Sequence, residues 1–232
     1  MLGSTARRPK LGLGLALTLA VAAGSAAPAP STPSELDRDP LGWVDLLAEA
    51  GTDLKGWTRL PVKPKGKLDP ASQWSLDADS RVLTCRGDGG HDWLRWDREL
   101  ADFVLHVEWK FEPVTSGKKG YNSGLFVRNS ADATVWHQAQ VGGGPAAYLF
   151  GETMRDGALD RVDLSKQQLD KRVRPAGEWN TFELSCRGKQ VDLWVNGETV
   201  NRWDDCRVPK GYVGLEAEGY RIEFRNVKVK PL

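Results

Sequence analysis

Hydrophobic residues recur at every second position along most of the chain from Trp43 onward, and long helical patterns are scarce. In the segment DFVLHVEWKFE, at 102–112, the odd positions from 103 to 111 are all hydrophobic, whereas the even positions include His106, Glu108 and Lys110. A period of two is the pattern of a β-strand with one buried face. The segment therefore predicts a half-buried strand.

Two further segments combine this alternation with tight turns. WNTFELSCRGKQVDLWVNGETV, at 179–200, has two alternating runs joined by Arg187-Gly188-Lys189, and Asn196-Gly197 forms a second turn. GYVGLEAEGYRIEFRNVKVKPL, at 211–232, repeats the arrangement. Short alternating strands with Gly and Asn turns at intervals of about ten residues indicate an all-β fold, a two-sheet antiparallel sandwich or jelly roll.

Two segments depart from the alternation. LLAEA, at 46–50, predicts a short helical turn near the start of the domain. Between Gly142 and Pro175 the alternation is lost, and a Gly-Gly-Gly-Pro run is followed by a charged stretch. This predicts a long ordered loop, and such loops often carry the function of a β-sandwich.

The N-terminal segment has the features of an export signal. Arg7, Arg8 and Lys10 precede an apolar run at 11–23, and small residues follow it. This order predicts a secretory signal peptide over 1–27 and a secreted or periplasmic protein. Residues 28–40 then predict a Pro- and Ala-rich linker in extended conformation, and 41–232 the domain itself. Retention of the apolar run as a membrane anchor is the alternative.

Composition narrows the class of partner. Lys and Arg number 32 against 31 Asp and Glu, so no net field attracts nucleic acid or an anionic membrane. A neutral partner is favoured, and the ten tryptophans could supply amphipathic platforms for it, although most are expected in the core.

Cysteine spacing gives no metal or redox motif. Cys85, Cys186 and Cys206 contain no C-x-x-C pair, the usual element of a zinc site. Cys186 and Cys206 could form a disulfide if their strands are neighbours, which would leave Cys85 buried and free.

Several segments, in this order, carry a resemblance to a known family: DLLAEAGTDLKGW, YNSGLFVR, HQAQV, GEWNTFEL, VNGETV and GLEAEGYRIEFRNVKVK. Together they resemble the 3-keto-disaccharide hydrolase family over residues 41–232. The resemblance implies a concanavalin-A-like lectin/glucanase fold with a concave sugar-binding face. It also implies a secreted bacterial enzyme that cleaves glycosides whose glucose is oxidised to a ketone at C3, with an oxidised glucoside or disaccharide as its carbohydrate partner.

One position departs from the family pattern. Many members have Glu, an aliphatic residue and Gln where this chain has Gln138-Ala139-Gln140. An amide cannot act as a general acid, so a mechanism that needs that Glu would fail here. Trp136 and His137 in front of it resemble a subgroup in which WHQAQ is usual.

Ordinary glycoside hydrolysis needs two carboxylates across the glycosidic bond. Glucanases of this fold carry an E-x-D-x-x-E run, and the chain has none. Glu216 and Glu218 share one strand face and could lie about 7 Å apart. They could equally form a solvated edge, so plain glucanase activity is not favoured.

A 3-keto sugar changes the requirement, because its ketone makes the C2 proton acidic. A histidine suits the removal of that proton, and firm donors or a divalent metal would stabilise the enolate. The histidines are His91, His106 and His137, and the predicted catalytic residues are His137, His106 and Glu108, the last two on one strand face. The sequence identifies no metal ligands with certainty.

The predicted substrate-binding residues surround the HQAQ segment. Strand alternation points His137 opposite to Gln138 and Gln140, so either the histidine or the amide pair lines the binding face. Arg128 is expected to pair with Glu108 across neighbouring strands. The full set predicted to bind substrate is Gln138, Gln140, Asn122, Arg128, Trp136, Glu216 and Glu218.

Two functions therefore remain open besides a scaffold role. The first is an exported enzyme that acts on a 3-keto-glucoside or disaccharide by C2 proton abstraction, elimination and hydration. The second is a non-catalytic, lectin-like carbohydrate-binding module, which the missing carboxylate at Gln138 favours.

Overall fold

The computed structural model describes residues 31–63, 66–115, 117, 120–143, 146–169 and 171–232, together with residue 3. The predicted signal peptide and the first residues of the predicted linker lie outside this part of the chain, residue 3 excepted. Within it, no helix is long and apolar enough to cross a membrane.

The described chain is built almost wholly of strands. Their bounds are β1 Val44–Asp45, β2 Trp57–Pro61, β3 Trp74–Asp77, β4 Val82–Cys85, β5 Asp92–Trp96, β6 Phe103–Phe111, β7 Asn122–Asn129, β8 Trp136–Gly142, β9 Leu149–Arg155, β10 Ala158–Asp163, β11 Asn180–Arg187, β12 Gln190–Val195, β13 Glu198–Trp203, β14 Tyr212–Ala217 and β15 Ile222–Pro231. A helix α1 covers Glu35–Arg38 and a 3-10 helix covers Ser165–Gln167.

The strands form two antiparallel sheets. The eight-stranded sheet has the order β13-β12-β11-β6-β15-β4-β3, with β1 paired to β15. The seven-stranded sheet has the order β10-β9-β8-β7-β14-β5-β2. Neighbours distant in sequence, such as β6 with β15 and β7 with β14, give the crossovers of a jelly roll. The all-β sandwich prediction is confirmed.

The core follows from the alternation read in the sequence. Phe103, Leu105, Val107, Trp109 and Phe111 of β6 are all buried in one apolar cluster. Side chains of the seven-stranded sheet, among them Leu125, Val127 and Ala139, join that cluster from the other side. The opposite face of the seven-stranded sheet, which carries Gln138, is therefore the outer face.

The predicted long loop between Gly142 and Pro175 is wrong. Much of this segment is the hairpin β9–β10, which closes through Asp156 and Gly157, both in the left-handed region with φ of 50° and 83°. The hairpin lies at the edge of its sheet, and most of β10 is exposed or half-buried. Polar residues therefore occur on both faces and hide the alternation, although Asp-Gly is itself a hairpin signal.

The predicted extended linker is partly helical and packs on the domain. The backbone N–H groups of Glu35 and Leu36 donate to the Glu183 carboxylate of β11, at 2.6 and 3.1 Å. Ser34 caps α1 through the Asp37 N–H. Residues 46–49 form hydrogen-bonded turns, with the Ala48 N–H donating to Asp45 O.

The three cysteines are buried free thiols, so Cys186 and Cys206 are not joined by a disulfide. Burial raises the pKa of Cys85 to about 12. A thiol held this far from ionisation is a poor nucleophile and a poor metal ligand, so the cysteines act as small core residues.

Candidate functional site

A pocket on the outer face of the seven-stranded sheet contains most of the polar residues singled out in the sequence. It has a volume of about 310 Å³, at the small end of the usual range for ligand sites. Cavities of about 340 and 380 Å³ elsewhere on the described surface have no histidine among their lining residues. The residues that line the pocket are Val62, His91, Asn122, Phe126, Ala133, Trp136, Gln138, Gln140, Phe150, Glu216 and Glu218.

Strand register divides these residues into two groups. Gln140 of β8 pairs with Gly124 of β7, and Gln138 pairs with Phe126 and with Phe150 of β9. Asn122 lies beyond Gly124 in one direction, and Trp136 lies beyond Gln138 in the other. The polar end comprises His91, Asn122, Gln140, Glu216 and Glu218, and the apolar end comprises Phe126, Ala133, Trp136 and Phe150; Gln138 lies between them.

Gln138 reaches from β8 to β14 across the intervening strand. Its Nε2 donates to Glu216 Oε2 at 2.8 Å. A Cβ on Gly124 of β7 would lie 2.2 Å from the same Nε2. Because no other residue leaves this space, Gly124 allows the amide to cross β7.

His91 and Glu216 form the central contact of the polar end. His91 Nε2 lies 2.7 Å from Glu216 Oε1, and 3.8 Å from Glu218 Oε2. The His91 side chain is 43% exposed, whereas that of Glu216 is 4% exposed. The pair thus joins an accessible imidazole to a buried carboxylate.

Both groups titrate away from their ordinary values. The hydrogen bond with Glu216 raises the pKa of His91 above 6.5, and the nearby Glu218 carboxylate adds to this. Burial raises the pKa of Glu216 above 4.5, opposed by the hydrogen bond from His91. The pair therefore retains a proton to higher pH than an isolated histidine.

The same residues could hold a cation. One ligand atom from each of His91, Glu216 and Glu218 lies within 4.8 Å of the other two. One imidazole nitrogen and two carboxylates form a donor set that suits zinc or manganese. The two carboxylates are closer than the separation of about 7 Å expected for strand neighbours.

Asn122 and Gln140 complete the polar end. Gln140 Nε2 donates to Asn122 Oδ1 and to the Ser123 carbonyl. Both hydrogens of Gln140 Nε2 are used within the fold, since it also donates to the Val141 carbonyl, so Gln140 offers its Oε1 as an acceptor and Asn122 offers its Nδ2 as a donor. They can therefore bind sugar hydroxyls or a ketone oxygen at the rim.

Six of the seven residues predicted to bind substrate lie in this pocket: Gln138, Gln140, Asn122, Trp136, Glu216 and Glu218. The seventh, Arg128, does not. Its side chain is 0% exposed, donates to the carbonyls of Ala101 and Gly188, and pairs with Asp102 at 2.7 Å. The expected pair with Glu108 is wrong, because Arg128 lies on β7 of the seven-stranded sheet and Glu108 lies on β6 of the other sheet. A bulge at the β7–β14 pairing also turns Arg128, with φ of 52°, away from the outer face.

His137 lies on the interior side of β8. Strand alternation places it there, because its neighbour Gln138 is on the outer face. It is 1% exposed, and its ring nitrogens contact Val127 O at 3.2 Å and Thr153 Oγ1 at 3.0 Å. Burial lowers its pKa to about 4. The structure does not bring this predicted catalytic residue to the pocket.

His106 and Glu108 lie on β6 of the eight-stranded sheet, away from the pocket. His106 Nδ1 lies 2.8 Å from Glu183 Oε1, and its ring meets Trp43 edge-on. Glu108 accepts from Arg225 and Asn226. These contacts engage His106 Nδ1 and the Glu108 carboxylate within the fold, whereas His106 Nε2 is buried without a hydrogen-bond partner among the described residues. The two predicted catalytic residues are separated from the substrate-binding set, because they lie on the other sheet.

His91 is the polar residue of the pocket that was not among the predicted site residues. It stands just before β5 in GDGGHDWLRW, and its neighbour Asp92 pairs with Ala217 of β14. That pairing is between strands far apart in sequence, so alternation could not reveal it. The signal available in the sequence was that His91 is the one of the three histidines that had been given no role.

Residues 42–230 match the model of a family described as the 3-keto-alpha-glucoside-1,2-lyase-like domain. A search of curated proteins found no match.

Solved structures share the fold at low identity. A "putative glycosyl hydrolase" of Parabacteroides distasonis has a TM-score of 0.56 and 20% identity, over 82% of this chain and 99% of its own. The carbohydrate binding module CBM66 of Bacillus subtilis has a TM-score of 0.54 and 17% identity, over 75% and 95%. A Bacillus subtilis protein with a galectin-like fold has a TM-score of 0.52 and 11% identity, over 82% and 94%. At these identities the likeness establishes the architecture and leaves the chemistry to the site.

Proposed function

Because the chain belongs to the family described as the 3-keto-alpha-glucoside-1,2-lyase-like domain, we propose that it is a carbohydrate-active enzyme that cleaves 3-keto-glucosides or 3-keto-disaccharides. The observation that carries this proposal is the His91–Glu216 pair, an accessible imidazole hydrogen-bonded at 2.7 Å to a buried carboxylate. A base oriented by a carboxylate is the arrangement that proton abstraction requires.

The first step is removal of the C2 proton. His91 Nε2 faces Glu216, so Nδ1 is the nitrogen that accepts the proton, and the Glu216 carboxylate stabilises the imidazolium. The electron pair of the C2–H bond moves onto the ketone oxygen at C3. The amide donor of Asn122 can hydrogen-bond this oxygen as its charge develops.

The second step expels the aglycone. The ketone re-forms, a double bond forms between C1 and C2, and the C1–O bond breaks with its electron pair on the departing oxygen. That oxygen takes up one proton. Water then adds its hydroxyl to C1 and a proton to C2, so the net reaction is hydrolysis without oxidation or reduction.

A divalent metal held by His91, Glu216 and Glu218 would polarise the ketone instead. Occupancy would remove His91 as a base, so the two roles exclude each other. Turnover with and without EDTA separates them.

A non-catalytic carbohydrate-binding module is the second candidate. The amide at Gln138, where a carboxylate is usual in the resembling family, favours it. The accessible His91 beside Glu216 favours the enzyme, since a binding site has no need of a base.

The test is sugar release by the purified protein from 3-keto-trehalose, 3-keto-lactose and a 3-keto-glucoside, beside their unoxidised parents. We expect cleavage of the oxidised set alone. His91→Gln should abolish it, and His106→Gln, on the other sheet, is the matched control that should retain it. Binding without release from any substrate would support the carbohydrate-binding module instead.

We also propose that residues 1–27 are removed on export and that the domain acts outside the cytoplasm. N-terminal sequencing of protein from the culture medium or periplasm tests this proposal. An intact N-terminus in the membrane fraction would support the anchor instead.

A further inference from the structure

The pocket is chemically divided along its length. At about 3.4 Å per residue, Trp136 at the apolar end lies about 14 Å along β8 from Gln140 at the polar end. A glycoside that lies along this axis with its reacting sugar at the polar end would place its C1 substituent at the apolar end.

We propose that the apolar end binds the aglycone and that the preferred substrate carries an aromatic or similarly apolar aglycone in place of a second sugar. This inference rests on the proposed function, because it assigns the two halves of the substrate to the two ends of the same pocket.

The rings of the apolar end are packed as a wall. Trp136 and Phe150 meet edge-to-face, with centroids 5.2 Å apart at 88°. Phe126 meets Trp93 in the same way at 5.4 Å. Edge-to-face packing fixes ring positions, so the wall is formed before any ligand arrives.

Ala133 closes this wall at a conformational cost. It has φ of 59°, in the left-handed region where glycine is favoured. Its methyl group nevertheless packs with Trp93 and Phe126 and is 6% exposed. The chain thus keeps a hydrophobic surface where the backbone alone would favour Gly.

Hydrogen-bonding capacity separates the two kinds of aglycone. The side chains of the apolar end offer the indole N–H of Trp136, and Arg161 above the rings adds guanidinium donors, but none of these groups is an acceptor. The hydroxyl hydrogens of a second sugar would lose their bonds to water without gaining an acceptor from these side chains. An aryl group loses nothing there and gains from burial.

Stacking of a sugar on these rings is also restricted. Arg161 of β10 lies over the rings of Trp136 and Phe150, at 4.8 and 5.3 Å from their centroids. The guanidinium therefore covers one face of each ring. A sugar platform needs an open aromatic face, whereas a cleft lined by ring edges and faces suits a flat aryl group.

The experiment compares binding of unoxidised glucosides, which the elimination mechanism does not cleave. Calorimetric Kd values are measured for phenyl and methyl glucosides, in both anomeric forms, and for trehalose. We expect the better phenyl anomer to bind about tenfold tighter than its methyl counterpart, because one ring is buried, and tighter than trehalose. Equal phenyl and methyl values, tighter trehalose binding, or no binding would overturn the proposal.

Variants locate the effect. Phe150→Ser should bring the phenyl-to-methyl ratio close to one, whereas Met154→Ser, on the same face of β9 outside the pocket, should leave it unchanged. Ala133→Gly relieves the backbone and should still reduce the ratio, so it reports on the wall even if Phe150→Ser folds poorly. An unchanged ratio in both wall variants would overturn the assignment.

Turnover distinguishes this inference from the proposed function. Release from 3-keto forms of the same compounds tests the elimination, and its absence would overturn the enzyme while the Kd ratio remains readable. Turnover that favours the disaccharide in kcat/KM over the aryl substrate would overturn the aglycone assignment alone.

Discussion

Gln138 donates a hydrogen bond to Glu216 two strands away, at 2.8 Å, by crossing the outer face of β7 at Gly124. The bond engages Glu216 Oε2, whereas His91 contacts Oε1. Glu216 is thus held between an amide donor and an imidazole, and this arrangement sets the orientation of the proposed base.

Gly124→Ala tests the crossing. A methyl group 2.2 Å from Gln138 Nε2 must displace the amide, so we expect loss of about 1–3 kcal/mol of unfolding free energy and at least about tenfold lower kcat/KM. Chemical denaturation and kinetics on a 3-keto-glucoside measure the two effects.

The double variant Gly124→Ala/Gln138→Ala provides the control. Removal of the amide makes room for the new methyl, so stability should recover, while activity should not. If the double variant instead loses as much unfolding free energy as the two single variants together, the methyl group and the amide do not interact, and the crossing is unimportant.

The pH profile tests the role of His91. Its pKa is raised above 6.5, and a base must be deprotonated, so kcat/KM should rise with pH through an apparent pKa above 6.5. Glu218→Gln removes a nearby negative charge and should move the ascending limb of this pH profile to lower pH. Glu99→Gln, a remote carboxylate, should leave the limb in place. A profile unaffected by Glu218→Gln would remove His91 from this role.

Gln138→Glu introduces the carboxylate that the family resemblance led us to expect at this position. It places a second carboxylate against Glu216 where the amide now donates. We expect the ascending limb of the pH profile to move to higher pH, because an additional negative charge near His91 raises the pKa of the imidazole. Comparison with Gln138→Ala, which adds no charge, separates electrostatics from the lost hydrogen bond; identical profiles would contradict the prediction.

His137 should limit stability in acid. Its folded pKa of about 4 lies below the ordinary value of 6.5, so the unfolded chain binds its proton first as pH falls. Stability is therefore lost between about pH 6.5 and pH 4, by about 3 kcal/mol for a difference of about 2.5 in pKa.

His137→Gln removes this titration. Its unfolding free energy should depend less on pH across the same interval, measured by urea denaturation at several pH values. Parallel pH dependences in the variant and the parent protein would show that another group is responsible.

The sequence predicted what depends on local alternation. β6, the strands of 179–200 and those of 211–232 were predicted because one face of each is apolar, and the same alternation separated His137 from Gln138. The hairpin β9–β10 was missed because an edge hairpin exposed on both sides has no apolar face to reveal it.

The candidate site was predicted in part for the same reason. Gln138 and Gln140 alternate along one strand, so the sequence shows that they share a face. The contacts of Gln138 and of His91 with Glu216 depend on the pairing of β7, β14 and β5, which are distant in the chain. Arg128 was misplaced because a bulge interrupts the alternation that its position relied on.

The segment before the strands also determines where the chain can be cut. Glu183 is 5% exposed and relies on the backbone N–H groups of Glu35 and Leu36 beside His106. The family model matches from residue 42. A shortened chain that starts there would lose both donors, and the Glu183 carboxylate would keep only its contact with His106. A shortened chain that preserves the domain should therefore start before Thr32, because the Thr32 N–H donates a hydrogen bond to Gly197 O at 2.7 Å.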